Sequence, residues 1–413
     1  MGCGVRLVAV GVAALLLFGV AEGPAAATPG PPGHGEWYFD SWHVQSLWSQ
    51  GARGQGIVIG ELDTGVNAAL PELSGNVLHG KDFGVGGDGR VDRDSDTFGH
   101  GTAMASLMVA HSGLDDILGL APDARVLPVA LPITGTTDDA GGAANKDLVA
   151  GIRWAADHGA RIISMSLGAP RNDDDGLSCP VEEQEAIDHA LAKGAIVVAS
   201  GGNSGESGSP VDAPSVCLGV VSVGAEDVHG SVPSWSSRHP YLTVTAPGVN
   251  VPTIGRIAGQ AFYGDGTSQA AAITSAGLAL IWSKYPKLTG RQVVARLLAT
   301  LDGRRATRSP AGGYGAIDIG RAVTADVPVD APNPVYDGVD PFLALDKARA
   351  QVPTAPTVRP PAYRDLPGGY AVSVPAGPLA SGAGLGGVVA AAVGVLGLLV
   401  LAALAVRRRV AAR

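Results

Sequence analysis

The sequence predicts an α/β fold: a doubly wound, mostly parallel sheet flanked by helices, followed by one C-terminal transmembrane helix. Three observations predict it. Short apolar runs bounded by glycine recur along the chain, as in Gly56-Ile57-Val58-Ile59-Gly60-Glu61-Leu62, the pattern of strands buried on both faces. Helical patterns alternate with them, for example Lys146 to His158, with Leu148, Ile152, Trp154 and Ala155 on one side. Finally, Leu385 to Val406 is uncharged and apolar throughout, long enough to cross a bilayer, and Arg407-Arg408-Arg409 follows at once.

Taken in order, residues 1–27 read as a secretory signal. Arg6 gives the positive start, Leu7 to Val20 the apolar core, and Ala25-Ala26-Ala27 the small-residue cleavage site. Cys3 leaves with this segment, and Cys179 and Cys217 remain. An even count in an exported domain predicts a disulfide between them. Residues 28–55 form an N-terminal extension whose Trp37, Tyr38, Trp42 and Trp48 are expected to pack on the domain that follows.

That domain is read as residues 56–323. Its strands are expected at Ile57 to Leu62, Ala124 to Ala130, Ala160 to Gly168, Ala195 to Ala199, Leu218 to Val223 and Leu242 to Thr245. Its helices are expected from His100 to Ala110, from Lys146 to His158, from Glu182 to Lys193 and from Thr289 to Thr300. A further helix starts at Gly266-Thr267-Ser268 and runs through small and apolar residues with no charge before Lys284, which suits burial on nearly all sides. Residues 324–384 are rich in Pro and Ala and read as a linker. The span at 385–406 and a basic tail at 407–413 complete the chain. The basic tail sets a single-pass topology in the cell membrane, with the domain on the extracytoplasmic side.

The formal net charge is −9, so no basic surplus points to a nucleic-acid partner. Asp92-Arg93-Asp94-Ser95-Asp96 begins like a calcium loop but has no Gly at its sixth position and no acid at its twelfth. It is read as a solvated acidic loop, and no metal site or cofactor is expected.

Three residues can be assembled into a nucleophilic site. Asp63 lies at the carboxyl end of a buried strand, where open α/β sheets place functional groups. His100 opens a helix among small neighbours, and Ser268 sits in the first turn of another. Backbone N–H groups there lack helical partners and favour negative charge. A serine hydroxyl needs an imidazole to take its proton, and the imidazole needs a carboxylate to fix its tautomer. Asn203, flanked by Gly202 and Gly205 after a strand, could donate to the oxyanion that forms. Read alone, Ser268 would be an N-cap and Asp63 a turn residue. The Asp63-Thr64-Gly65 motif of an aspartic protease would need a second such motif or a homodimeric site to bring two carboxylates together, and the chain shows no second motif.

Taken together, these blocks resemble the subtilisin-like serine proteases. The resemblance is carried by Asp63-Thr64-Gly65-Val66, His100-Gly101-Thr102, Ser166-Leu167-Gly168, Gly202-Asn203 and Gly266-Thr267-Ser268, in that order. Weaker support comes from Pro214-Ser215-Val216, from Val221 to Ala225, and from Ala246 to Val249. It implies a polypeptide substrate, Asp63, His100 and Ser268 as the triad, and Asn203 in the oxyanion hole. Ser166, Leu167 and Gly168 would lie beside the extended substrate as a strand partner.

The architecture is similar to the mycosins, membrane-anchored subtilases of type VII secretion. That narrower likeness implies a type VII secretion membrane complex as partner. The stretch between Ala27 and Asp63 is too short to hold a subtilisin-type pro-domain. One position departs from the family: Ala272 stands where subtilases carry proline. Without that proline the first turn of the helix is expected to straighten and shift Ser268 slightly, altering turnover. The alternative is a scaffold of the secretion complex with weak or no proteolysis. Asp173-Asp174-Asp175 hints at a preference for basic substrates.

Overall fold

The computed structural model describes residues 36–95, 98–111, 114–133, 143–171, 178–350 and 360. The expected signal peptide, the span at 385–406, the basic tail and Asp173 to Asp175 lie outside the described residues. Among the described residues no helix is long and apolar enough to cross a membrane.

Two short helices, α1 (Trp37–Ser41) and α2 (Val44–Ser49), precede β1 (Val58–Asp63). Next come β2 (Lys81–Asp82), α3 (His100–Val109), β3 (Arg125–Ala130) and α4 (Ala143–Asp157). They are followed by β4 (Ile162–Met165), β5 (Ala169–Arg171), α5 (Val181–Ala192), β6 (Ile196–Ser200) and β7 (Val211–Ala213). After β8 (Val220–Glu226) and β9 (Val244–Pro247) comes a hairpin of β10 (Val251–Ile254) and β11 (Ala261–Gly264). The helices α6 (Thr267–Lys284), α7 (Gly290–Ala299), α8 (Ile319–Thr324) and α9 (Val339–Ala350) follow.

Seven strands form one sheet in the order β2-β3-β1-β4-β6-β8-β9, with every neighbouring pair parallel. The chain builds outward from β1 first on one side and then on the other. The carboxyl ends of β1 and β4 therefore flank the point where the winding reverses, the place where such sheets leave a crevice. Side chains of β1 alternate between two cores. Ile59 packs with Met104 of α3 and Ile273 of α6, whereas Leu62 packs with Ile152 of α4 and Ile187 of α5. Glu61 and Asp63 share the face of Ile59 by the same alternation.

Helix α6 is the central element. Its alanine-rich sequence favours helix, and Ala270 through Ile281 are buried without interruption. Helix α7 is fixed at its start by a capping box, Thr289 accepting from the Gln292 N–H while the Gln292 side chain accepts in return. Cys179 and Cys217 are joined by a disulfide.

The structure differs from the sequence reading at several points. The strand expected from Ala160 to Gly168 stops at Met165; Ser166 to Gly168 leave the sheet, and β5 pairs antiparallel with β7. The hairpin of β10 and β11 has no counterpart among the expected strands. The packed core also runs past Val323: Val335, Tyr336, Val339 and Phe342 are all buried. Their helical spacing was masked by the Pro- and Ala-rich composition of that stretch.

Candidate active site

Asp63 ends β1 with its side chain 1% exposed, and His100 opens α3. Asp63 Oδ1 and Oδ2 lie 2.8 and 2.9 Å from His100 Nδ1, and Oδ1 also accepts from the Thr64 N–H at 2.8 Å. A carboxylate accepts only, so Nδ1 carries the proton and Nε2 is left as the basic nitrogen. The imidazole keeps 30% of its side-chain surface open. Burial, the largest single influence on its pKa, disfavours the imidazolium. Asp63, and after it Asp94 and Asp92, outweigh that, and the pKa ends above its ordinary value.

The acidic loop read as solvated is instead a clamp on this helix. Asp92 is buried. Its Oδ2 accepts from the Thr102 N–H and hydroxyl at 2.8 and 2.5 Å, and its Oδ1 from the Thr64 hydroxyl at 2.8 Å. Asp94 Oδ2 accepts from the His100 N–H at 2.8 Å, and the Thr64 hydroxyl from the Gly101 N–H at 3.0 Å. Three N–H groups that α3 leaves without helical partners are thus satisfied by Thr64, which follows β1, and by Asp92 and Asp94 of the loop. Asp94→Asn keeps an acceptor for His100 but removes a charge that raises the imidazole pKa. Because the neutral imidazole is the working base, the acid limb of the kcat/KM profile should lie above its ordinary position in the wild type and move to lower pH in Asp94→Asn. An unmoved limb would show that the Asp94 charge does not act on His100.

Ser268 lies in the first turn of α6, which packs beside α3 on the same face of the sheet. Its Oγ donates to Ser166 O at 2.9 Å, and Ser166 Oγ donates to Ser268 O at 2.9 Å. The structure therefore bonds Asp63 to His100 but turns the Ser268 hydroxyl to Ser166 rather than to the imidazole. A change of χ1 rotamer re-aims the hydroxyl without moving the helix. The Ser268 N–H has no hydrogen-bond partner among the described residues.

Asn203 is tied to the same turn: its Oδ1 accepts from the Thr267 N–H at 2.9 Å and the Thr267 hydroxyl at 2.8 Å. A backbone N–H can only donate, so the amide is oriented with Nδ2 free to donate elsewhere. The Gly202 N–H donates to the Thr267 hydroxyl at 3.1 Å, closing the link from β6 to α6. Ser166 is buried, Leu167 half-buried and Gly168 exposed, and these three residues lie outside any strand. Ala272 is fully buried. Proline there would remove the N–H that a helix directs to Ser268 O. Ala272→Pro should raise kcat by re-aiming the first turn; unchanged turnover on each of several peptides would remove the idea.

Glu61 went unremarked in the sequence although an acid inside a buried strand is a signal in itself. Its carboxyl is 2% exposed, with neither oxygen hydrogen-bonded among the described residues. Burial, and then the nearby Asp63 and Asp92, push its pKa well above the carboxylate range. Burial among these acids therefore favours its neutral form beneath the site.

The family model for the subtilase family, peptidase S8, matches residues 54–316. The chain belongs to the subtilase family. This subtilase is a subtilisin-like serine endopeptidase. It is 35% identical over 260 residues to subtilisin DY of Bacillus licheniformis, covering 62% of this chain and 88% of that one. Among solved structures it is similar to the MycP3 protease from the type VII (ESX-3) secretion system, with a TM-score of 0.60 and 30% identity. That match covers 72% of this chain and 90% of the other. MycP1 from Mycobacterium smegmatis matches with a TM-score of 0.59 and 25% identity over 75% of this chain and 88% of its own.

Proposed function

We propose that this subtilase is a membrane-anchored, extracytoplasmic endopeptidase working with a type VII secretion complex, and that Asp63, His100 and Ser268 are its triad. The Asp63–His100 pair carries the reading, since a buried carboxylate on both sides of Nδ1 leaves Nε2 as a base. Ser268 Oγ attacks the substrate carbonyl and passes its proton to Nε2. The oxyanion receives the Ser268 N–H and the Asn203 amide N–H. His100 then protonates the leaving amine, and water, deprotonated by the same imidazole, releases the acyl group from Ser268. Ser166, Leu167 and Gly168 lie outside the sheet beyond the end of β4, where an extended substrate can pair with their backbone once the Ser268 hydroxyl turns from Ser166 O to His100.

The segments of this reading are a signal at 1–27, an extension at 28–55, the catalytic domain at 56–323 with its packed core continued to Phe342, a linker over the rest of 324–384, a span at 385–406 and a tail at 407–413. The partner complex is argued from the resemblance to MycP1 and MycP3, whose structures come from such systems. A scaffold role with weak proteolysis is favoured by one observation, the bond that turns the Ser268 hydroxyl to Ser166 O. The test treats the purified full-length protein with a fluorophosphonate probe and maps the adduct by mass spectrometry. Labelling of Ser268 that disappears in His100→Ala supports the endopeptidase; a folded protein left unlabelled supports the scaffold.

A further inference from the structure

A second buried acid stands beside the cleft, and the catalytic steps above do not use it. Strand β7 pairs antiparallel with β5, which sets Asp212 opposite Pro170, just beyond Gly168. Its carboxyl group spans two backbone segments. A Cβ on Gly202 would stand 2.0 Å from Asp212 Oδ2, and a Cβ on Gly168 would stand 3.9 Å from Oδ1. One of these glycines precedes Asn203; the other ends the segment expected to pair with substrate. Neither has a side chain to cover the carboxyl group, and Gly202 holds φ of +100°, where a larger residue would be strained.

Asp212 is 4% exposed. Its Oδ2 has no hydrogen-bond partner, and no cation lies within ion-pair distance of it among the described residues. The neighbouring Tyr241 hydroxyl accepts from the Asp212 backbone N–H at 3.0 Å. Burial raises the carboxyl pKa to about 7. A carboxyl group in that condition is costly to ionise until a cation reaches it, and is strongly attractive to one that does.

We infer that Asp212 is the floor of the slot that takes the substrate side chain on the acyl side of the cleaved bond, and that it selects lysine or arginine there. This deepens the proposed function and rests on it, because it takes Ser268 as nucleophile and Ser166 to Gly168 as the substrate's partner. The position of the group supports it: its oxygens lie against Gly168 and Gly202, in the two segments that would hold the scissile residue's backbone on one side and its oxyanion on the other. A long side chain with its charge at the tip suits a narrow slot whose acid lies at the bottom.

Two measurements on the full-length protein test it. The first is binding of p-aminobenzamidine, followed by its fluorescence, which needs a cation-binding slot but no chemistry. The second is the ratio of kcat/KM for two peptides that differ only in lysine or leucine at the residue preceding the cleaved bond. Wild type should bind the amidine and favour lysine. In Asp212→Asn both the affinity and the ratio should fall by about tenfold or more, as when a buried charge loses its partner. Thermal unfolding checks that this neutral isostere stays folded. Fluorophosphonate labelling of wild-type Ser268 separates this inference from the reading beneath it. If Ser268 labels but neither amidine affinity nor lysine preference depends on Asp212, the inference is overturned and the catalytic reading stands. If amidine binding depends on Asp212 while Ser268 stays unlabelled, the slot stands and the catalytic reading falls.

Discussion

Asp63→Asn is expected to lower kcat/KM about 10⁴-fold on any peptide substrate. The reason is the tautomer. Asp63 offers two acceptor oxygens to His100 Nδ1 and a further bond to the Thr64 N–H. An asparagine there can turn its amide so that Nδ2 donates to Nδ1, which drives the imidazole proton onto Nε2. The nitrogen facing the nucleophile would then donate instead of accept. The geometry of β1 and α3 need not change, because Asp92 and Asp94 hold the start of α3 independently. The measurement is kcat/KM beside a thermal unfolding curve. A loss smaller than tenfold in a folded protein would mean that His100 does not act through Asp63.

Asn203→Ala is expected to cost about 10²–10³-fold in kcat, with KM less affected, because the donor serves a charge that exists only in the transition state. The same side chain also satisfies Thr267, so alanine leaves the first N–H of α6 without its acceptor and should reduce stability as well. Asn203→Asp separates the two effects. It retains acceptors for Thr267 but removes the donors and sets a negative charge where the oxyanion forms. Restored stability with activity at or below that of Asn203→Ala assigns the amide to the oxyanion. Activity that recovers with stability would assign Asn203 to the helix turn alone.

The sequence revealed most where function and local pattern coincide. Asp63 closes an apolar run, His100 and Ser268 open helices of small residues, and Asn203 follows a buried strand, so each stands at a boundary that periodicity can locate. The residues that went unread are defined by distant partners. Asp92 looks like one more acid in a polar loop until Thr64 and Thr102 are brought to it. Asp212 sits in an ordinary loop composition, and its burial depends on β7 pairing with a segment some forty residues earlier, across β6 and α5. Glu61 was visible, but nothing local says that it meets Asp63 and Asp92 on the same face of the sheet. The helix α9 was concealed by alanine and proline around its apolar positions.

The bridge between Cys179 and Cys217 encloses β6, Asn203 and Asp212 in one covalent ring, which also carries the exposed turn Glu206-Ser207-Gly208. An endopeptidase is exposed to its own kind, and such a turn is where autolysis begins. A single cut inside the ring leaves no free fragment. The nicked molecule migrates as one species until its disulfide is reduced, and the oxyanion donor stays tethered on both sides of the break. Self-digestion at that turn should then appear as two bands only under reducing conditions, with activity outlasting the intact chain.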